Sequence, residues 1–309
     1  SYDMLGEGAR TMVDAEKYYK AYQVAIDAIG AVARASGKND PRKVPGISVK
    51  LSAIHPRYEF AQKERVMTEA APKLKALCLQ AKSYNIGLTV DAEESERLDM
   101  SLDVIEAVFS DDELAGWNGF SMALQAYQKR AIFIVDWLRE LTMRVDRKMM
   151  VRLVKGAYWD TQIKNSQKGG YQHFPVFTRK ASTDVSYLAC AKKLLEYRDT
   201  IFPQFATHNA YTVATILELA GNDKTSFEFQ CLYGMGGSLY DQVVTNENVQ
   251  CRVYAPVGPH KDLLAYLVRR LLENGANSSF VNAIIDESQP VESLLINPVK
   301  KIHRLKDKY

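Results

Sequence analysis

GISVKL at residues 46–51 and IGLTVD at residues 86–91 are two short runs of β-branched and aliphatic residues. Between them, residues 73–81 form an amphipathic stretch with the spacing of a helix. A strand, a helix and a second strand in this order predict a βαβ unit with parallel strands. Each strand run carries a charged residue at its carboxyl end, Lys50 in the first and Asp91 in the second. This combination recurs along the chain.

The alternation of short strands and helical stretches continues through the sequence. Six further strands are expected, at residues 2–5, 119–124, 149–154, 203–207, 227–231 and 252–255. Eight such units predict a (β/α)8 barrel of the TIM type, an α/β fold with its helices outside a parallel barrel. A doubly wound open sheet has the same order of elements and is the alternative.

Polar residues at the strand ends favour the barrel. They occur at or just beyond seven of the eight expected strands: Glu7, Lys50, Asp91 with Glu93, Gln125, Arg152 with Lys155, His208 and Tyr254. The carboxyl ends of barrel strands converge on one face, where the active sites of barrel enzymes lie. Charges of both signs on one rim suit a zwitterionic ligand, so we predict a binding site at this face.

Composition excludes several classes of function. The 309 residues include 40 Lys and Arg against 37 Asp and Glu, a formal charge of +3 that gives no general attraction to nucleic acid. Four scattered cysteines without a CxxC pair indicate reduced thiols in a cytoplasmic protein. No apolar run approaches the roughly 20 residues of a membrane span. The chain has neither a signal-peptide pattern nor an initiator methionine, so we expect a domain of a longer protein.

The segment after the last expected strand suits a carboxylate ligand. Four residues of the following helix, 261–274, lie three or four positions apart on one face: Tyr266, Arg269, Arg270 and Glu273. Paired guanidinium groups can bind a carboxylate through two parallel hydrogen bonds. The alternative is a solvated helix face with an Arg269–Glu273 ion pair, but Tyr254 on the preceding strand favours the binding site.

Two other segments suit a flat or phosphorylated ligand. In VRLVKGAYWD, residues 151–160, basic residues precede Gly156, where the backbone can approach a ligand, and Trp159 offers a stacking surface. Residues 207–209, THN, open a helix whose first N–H groups suit a phosphate. The alternatives are a buried strand with a turn and a purely structural His208. The next stretch, 165–177, is expected to be a long loop.

Other motifs lead to negative expectations. Asp91, Glu93 and Glu94 could bind a metal, but no His pair accompanies them, so we expect no metal site. GMGGS at residues 234–238 continues with Leu239 where GxGxxG has its third glycine, so a Rossmann dinucleotide site is unsupported.

Several long segments resemble the proline dehydrogenase domain of the bacterial bifunctional PutA (proline utilization A) proteins. They are VRLVKGAYWD (151–160), QFATHNA (204–210), FEFQCL (227–232), RVYAPVG (252–258) and YLVRRLLENGANSSF (266–280), with SYDMLGE (1–7) and KLSAIHPRY (50–58) also fitting. The resemblance covers essentially the whole chain. It implies a flavoprotein barrel over residues 1–290, with the last helix over the carboxyl ends of the strands. A basic tail or linker, 291–309, would follow.

The resemblance implies FAD-dependent oxidation of L-proline to 1-pyrroline-5-carboxylate, by hydride transfer from proline C5 to flavin N5. The substrate site would comprise Glu7, Lys50, Asp91, Arg152, Leu232, Tyr254, Tyr266, Arg269 and Arg270. The FAD site would comprise Gln125, Arg152, Val154, Gly156, Ala157, Trp159, Thr178, Lys180, Thr207, His208, Asn209, Leu232, Arg270 and Glu273. Arg269 and Arg270 would bind the proline carboxylate, Glu7 would pair with Arg269, and Arg152 would lie near flavin N5.

The resemblance also implies partners. Ubiquinone or menaquinone would accept the electrons, an aldehyde dehydrogenase domain would follow in the full-length chain, and the protein would be cytoplasmic and peripheral at the inner membrane. Residues 233–240, YGMGGSLY, depart from the family pattern HGMGEPLY, which leaves the shape of this loop open. Two other functions are compatible with the residues: a barrel lyase or isomerase with Lys50 or Lys155 as a Schiff-base amine, and a non-catalytic proline-binding barrel.

Overall fold

Eight parallel strands form a closed barrel, in sequence order β1 to β8 around its circumference. The computed structural model describes residues 1–6, 8–258, 263–264, 266–268 and 297–305. The strands are β1 Tyr2–Met4, β2 Ile47–Val49, β3 Leu88–Val90, β4 Phe120–Gln125, β5 Met149–Val154, β6 Ile201–Ala206, β7 Glu228–Leu232 and β8 Cys251–Val257. Pairing of β1 with β8, with Tyr2 opposite Ala255, closes the barrel. The predicted (β/α)8 fold is therefore confirmed, and the open sheet is excluded.

Helices follow the strands and cover the outside of the barrel. They are α1 Met12–Ala35, α2 Leu51–Ile54, α3 Lys63–Ser83, α4 Leu98–Phe109, α5 Ala131–Val145, α6 Trp159–Lys168, α7 Lys180–Glu196, α8 Ala210–Ala220, α9 Gly237–Glu247 and α10 Pro298–His303. The first of them begins at a capping box, in which Thr11 and Asp14 each accept a hydrogen bond from the other's backbone N–H. None of the described helices is both long and apolar enough to cross a membrane.

The sequence pattern does not predict α6 and α9. The stretch 165–177 is expected to be a loop, yet residues 165–168 form the end of α6. The buried residues of this helix are the polar Gln162 and Ser166, so it lacks the apolar stripe that reveals a helix. In α9 only Tyr240 and Val243 are buried, which is too few to create a periodic signal.

Strand residues alternate between a polar barrel interior and an apolar outer face. Ile47 and Val49 belong to the hydrophobic core, whereas Ser48 between them, equally buried, receives a hydrogen bond from Arg152, three strands away. The helices cover the outer face, and the hydrophobic core lies between helices and strands. Polar side chains therefore occupy the interior of the barrel and not only its rim.

The carboxyl-terminal part of the chain is described in two pieces. Residues 263–264 and 266–268 are helical, in agreement with the helix expected over 261–274, most of which lies outside the described residues. Helix α10 packs against α7 and buries Pro298. The division between a barrel domain, 1–290, and a tail, 291–309, stays a prediction.

Gly46, directly before β2, allows the backbones of β2 and β3 to approach each other. A Cβ atom at this position would lie 2.7 Å from the carbonyl oxygen of Gly87, which already accepts a hydrogen bond from Ile47 N at 2.9 Å. We expect Gly46→Ala to lower the free energy of unfolding by about 1–3 kcal/mol, since the backbone must shift to relieve the overlap. Urea unfolding measures this loss.

Gly237→Ala is the matched control. Gly237 opens α9, and no described atom lies within 4 Å of the position of an added Cβ. Alanine there should leave stability unchanged or raise it by up to about 1 kcal/mol. Equal unfolding midpoints for the two variants would contradict the close approach at Gly46.

Candidate functional site

Four charged side chains meet at the carboxyl-terminal end of the barrel. Lys50 Nζ lies 2.6 Å from Asp3 Oδ1 and 2.9 Å from Asp91 Oδ2. The other oxygen of Asp91, Oδ1, lies 3.0 Å from Arg152 Nη1. All four side chains are at most 12% exposed, so water screens them little. Asp91 thus lies between the two cations as their shared counter-charge, as buried charges require. Asp3 accepts a further hydrogen bond from Lys50, and burial raises the pKa of Asp3.

Arg152 is held from several strands at once. Its Nε donates to Gln230 Oε1 at 2.8 Å, and its Nη2 donates to Ser48 Oγ at 3.1 Å and Thr89 Oγ1 at 3.4 Å. The guanidinium carbon lies 4.5 Å from the centre of the Tyr254 ring, a cation–π contact. These contacts come from β2, β3, β7 and β8 and together fix one orientation of the guanidinium.

The same contacts set the protonation states in the cluster. Burial would lower the pKa of Lys50, but Asp91 and Asp3 outweigh it and hold this pKa well above its ordinary value. Burial would raise the pKa of Asp91, but Lys50 and Arg152 outweigh it, and this pKa is lowered. Burial, with the charges of Asp3 and Asp91, raises the pKa of Tyr254 well above its usual range. At neutral pH, Lys50 is therefore an ammonium and Tyr254 a neutral hydroxyl.

A second set of contacts lies where β3 and β4 end. Gln125 Nε2 donates to the carbonyl of Glu93 at 2.7 Å, and its Oε1 accepts from the backbone N–H of Ala157 at 3.4 Å. The carboxylate of Glu93 accepts from Ser52 N at 3.0 Å and pairs with Arg97 at 3.0 Å. Glu93, on the loop after β3, thus connects α2 with the end of β4. Among the described residues, no three His, Cys, Asp or Glu side chains are placed to hold a metal ion.

Gly156 lies on the loop after β5, and Trp159 is the first residue of α6. Gly156 has φ of +137°, and a Cβ there would lie 2.5 Å from Cγ of Tyr127. Glycine is therefore needed here because any side chain would overlap the Tyr127 ring. The sequence alone does not reveal this requirement. Trp159 donates its indole N–H to the carbonyl of Phe177 at 2.8 Å, which fixes the indole ring on this rim.

The basic residues near β5 have different surroundings. Arg152 points into the barrel, whereas Lys155 pairs with Asp184 of α7. Lys180 is the first residue of α7 and is half-buried, and Thr178, two positions earlier, is exposed. Burial lowers the pKa of Lys180, an effect that Asp184 opposes. The predicted basic pair is thus divided between the barrel interior and α7.

Residues 207–209 connect β6 to α8 as expected. Asn209 caps α8 by accepting from Thr212 N at 3.1 Å, while its own N–H donates to Thr207 Oγ1 at 3.2 Å. His208 Nε2 accepts from the backbone N–H of Leu232 at 3.1 Å, so its ring proton is on Nδ1. Two predicted residues, His208 just beyond β6 and Leu232 at the end of β7, are therefore in direct contact.

The remaining predicted residues are only partly described. Tyr266 is buried, and Val154 lies opposite Gln125 in the register of β4 and β5. Four residues lie outside the described part of the chain, so their roles stay predictions: Glu7, Arg269, Arg270 and Glu273.

Sequence reasoning missed three interior residues: Asp3, Glu228 and Gln230. Asp3 binds Lys50, Gln230 binds Arg152, and Glu228 accepts two hydrogen bonds from Arg252, at 2.7 and 3.0 Å. For two of them the sequence contains a recognisable pattern, because Glu228 and Gln230 occupy alternate positions of an otherwise apolar strand. In a parallel barrel such positions share one side of the sheet.

A closed (β/α)8 barrel with buried charged side chains at its carboxyl-terminal end has the architecture of the barrel enzymes. The family model for proline dehydrogenase matches residues 1–283. The chain belongs to the proline dehydrogenase family, and the resemblance inferred from its motifs is confirmed.

Relatives and solved structures agree with this assignment. The chain is 55% identical to the bifunctional protein PutA of Klebsiella aerogenes over 312 residues, covering 99% of this chain and 24% of the relative. It is 27% identical to proline dehydrogenase 1 of Bacillus subtilis over 282 residues, covering 90% and 79%. A crystal structure of a proline utilization A mutant from Bradyrhizobium japonicum matches with a TM-score of 0.94 and 56% identity, covering 98% and 31%. The chain thus spans about a quarter of the length of its PutA relatives.

Asp91 stabilises the folded state through its two cationic partners. We expect Asp91→Asn to lower the free energy of unfolding at pH 7 by about 3 kcal/mol, because Lys50 and Arg152 lose a buried counter-charge. The folded-state pKa of Asp91 lies below the unfolded value. Its contribution is therefore present above an unfolded pKa of about 3.9 and is lost as the pH falls through the folded value. Urea unfolding at pH 7 and at lower pH should show a shrinking difference between wild type and variant.

Asp99→Asn provides the control. Asp99 pairs with Arg130 at 2.7 Å, but both side chains are more than half exposed, so little stability should be lost at any pH. A pH-independent effect of Asp91→Asn, or equal effects of both variants, would contradict the role of the buried carboxylate.

Proposed function

We propose that this chain oxidises L-proline to 1-pyrroline-5-carboxylate with bound FAD, as one domain of a longer bifunctional protein. The observation that carries the proposal is the buried cluster of Lys50, Asp91, Arg152 and Tyr254 at the open end of a proline dehydrogenase family barrel. The identities of the relatives, bifunctional protein PutA and proline dehydrogenase 1, support it.

The chemistry of the rim between β4 and β6 fits FAD. Half-buried Lys180 and the start of α8 after Asn209 supply the positive charge and N–H groups that a pyrophosphate requires. A flat ring system would find three suitable features here: a position without a side chain at Gly156, the aromatic ring of Trp159 and the fixed amide of Gln125. When bound, FAD supplies the two-electron chemistry by accepting a hydride from proline C5.

The charged cluster suits the zwitterionic substrate. Lys50 as an ammonium has a third N–H donor, beyond those bonded to Asp3 and Asp91, for a carboxylate. The Tyr254 hydroxyl donates to Asp91 at the long distance of 3.4 Å, and its one proton would turn to the carboxylate when substrate binds. Arg269 and Arg270 would complete the carboxylate site. Arg152 would stabilise negative charge that develops on the electron acceptor, since its guanidinium is pre-oriented in a site with little water.

The protonation of Lys50 restricts its chemistry. The carboxyl groups of Asp3 and Asp91 hold this side chain as an ammonium, so Lys50 takes no proton from the substrate amine and does not attack a carbonyl. Lys155 is paired with Asp184. Neither lysine supports the alternative of a Schiff-base lyase or isomerase.

The wider role follows from the same proposal. The oxidation is the first step of proline catabolism to glutamate, with electrons passing to ubiquinone or menaquinone. The imine would open in water to an aldehyde, the substrate of an aldehyde dehydrogenase domain in the full-length chain. This agrees with the observation that the chain covers only 24% of the length of the PutA protein of Klebsiella aerogenes. The full-length protein would be cytoplasmic and peripheral at the inner membrane, and this segment would bind no nucleic acid.

The cofactor proposal has a direct test. The purified protein should be yellow, with flavin released on denaturation that co-migrates with FAD, and anaerobic L-proline should bleach the colour. A colourless protein that cannot be loaded with FAD, or a yellow protein that proline does not reduce, would contradict the proposal.

The substrate site is tested with Tyr254→Phe. Removing the hydroxyl should raise KM for proline about tenfold, the value of one hydrogen bond to a charged group, while FAD stays bound. Tyr197→Phe is the matched control, because the Tyr197 hydroxyl donates to Asp136 between two outer helices. Unchanged steady-state kinetics for Tyr254→Phe would remove this residue from the substrate site.

A further inference from the structure

A polar column runs down the interior of the barrel beneath Arg152. It consists of Arg152, Gln230, Glu228 and Arg252, in this order toward the amino-terminal face. Arg152 Nε donates to Gln230 Oε1 at 2.8 Å, and Gln230 Nε2 donates to Glu228 Oε1 at 2.9 Å. Arg252 then donates to both oxygens of Glu228 and to the carbonyl of Val44. Gln230 and Glu228 are 2% and 0% exposed, so the hydrogen bond between their side chains is shielded from solvent.

The partners of Gln230 determine which way its amide points. The guanidinium of Arg152 can only donate, and the carboxylate of Glu228, paired with Arg252, accepts. The oxygen of the Gln230 amide must therefore face Arg152 and its nitrogen must face Glu228. In the reverse orientation the amide nitrogen would face the Arg152 guanidinium, donor against donor. The amide oxygen would then face the Glu228 carboxylate, acceptor against acceptor, and both separations would be less than 3 Å.

The amide of Gln230 accepts the Nε–H hydrogen bond of Arg152 and so helps to fix the plane of its guanidinium. A guanidinium is planar, so the direction of its Nε–H bond fixes the orientation of the other two nitrogens. With Nε on Gln230, Nη2 reaches Ser48 and Nη1 reaches Asp91. Without this acceptor, a buried Nε–H would lack a partner and the guanidinium would turn to find another.

We propose that Gln230 is a positioning residue for the redox step: it orients Arg152 toward the bound electron acceptor, and Glu228 fixes the amide that does so. The proposal rests on the proposed function, because it concerns the charge that Arg152 supplies when the cofactor is reduced. Gln230 would act through Arg152, because both ends of its amide are already engaged, by Arg152 and by Glu228.

Gln204 provides a matched control. It is also buried, at 3% exposed, and its Nε2 donates to the same oxygen of Glu228 at 2.8 Å. Its own amide oxygen accepts from Ser121 at 3.2 Å, and among the described side chains none of its hydrogen bonds joins it to Arg152. Gln204→Met and Gln230→Met therefore each remove a hydrogen bond to Glu228, but only the second removes a contact of Arg152.

The experiment uses the FAD-loaded protein. Gln230→Met should lower kcat about tenfold with KM for proline nearly unchanged. It should also shift the flavin midpoint potential negative by about 30 mV, the value of a tenfold change for a two-electron couple. Gln204→Met should lose a similar amount of stability in urea but keep the wild-type potential and kcat.

Two results would overturn the proposal. One is a wild-type potential and kcat for Gln230→Met, and the other is an equal shift in both variants, which would indicate general loosening of the barrel. Should Gln230→Met fail to fold, Gln230→Asn is compared with Gln204→Asn in the same measurements, since the shorter amide withdraws the contact but stays polar. A wild-type protein that is not reduced by proline would instead contradict the proposed function.

Discussion

The carboxylate of Asp91 is the interaction on which the rest of the site depends. Its two oxygens receive Lys50 and Arg152, and the Tyr254 hydroxyl lies 3.4 Å from the oxygen that binds Lys50. Three groups, one directly after β2 and the others on β5 and β8, thus share a single carboxylate beyond the end of β3. Because the acceptor is negative and buried, it keeps the lysine protonated while holding the arginine in place.

The polar interior distinguishes this barrel from one filled with branched apolar side chains. The inner faces of the strands carry charges and amides, and the hydrophobic core lies outside them, beneath the helices. Burying so many polar groups is tolerated only because each has a partner, as the hydrogen bonds of Gln230 and Glu228 illustrate. The result is a site with little freedom to reorganise, which suits electrostatic stabilisation of a developing charge.

Much of this arrangement could be predicted from the sequence. Alternating strand and helix patterns predict the barrel, and polar strand ends identify Lys50, Asp91, Arg152 and Tyr254 before any coordinates. Helices α6 and α9 escape prediction because they bury few apolar residues. The role of Gln230 cannot be predicted from the sequence, because it depends on a contact with Arg152, which lies 78 positions away in the chain. Contacts across the barrel leave no local pattern.

The pairing of Glu228 with Arg252 has a consequence for how this family can vary. Neither residue can be replaced alone without leaving an uncompensated charge toward the amino-terminal end of the barrel interior, where Glu228 is wholly inaccessible to solvent. Positions 228 and 252 should therefore change together among related proteins, as an acid with a base or as two neutral residues. An alignment in which they vary independently would mean that some other group supplies the missing charge.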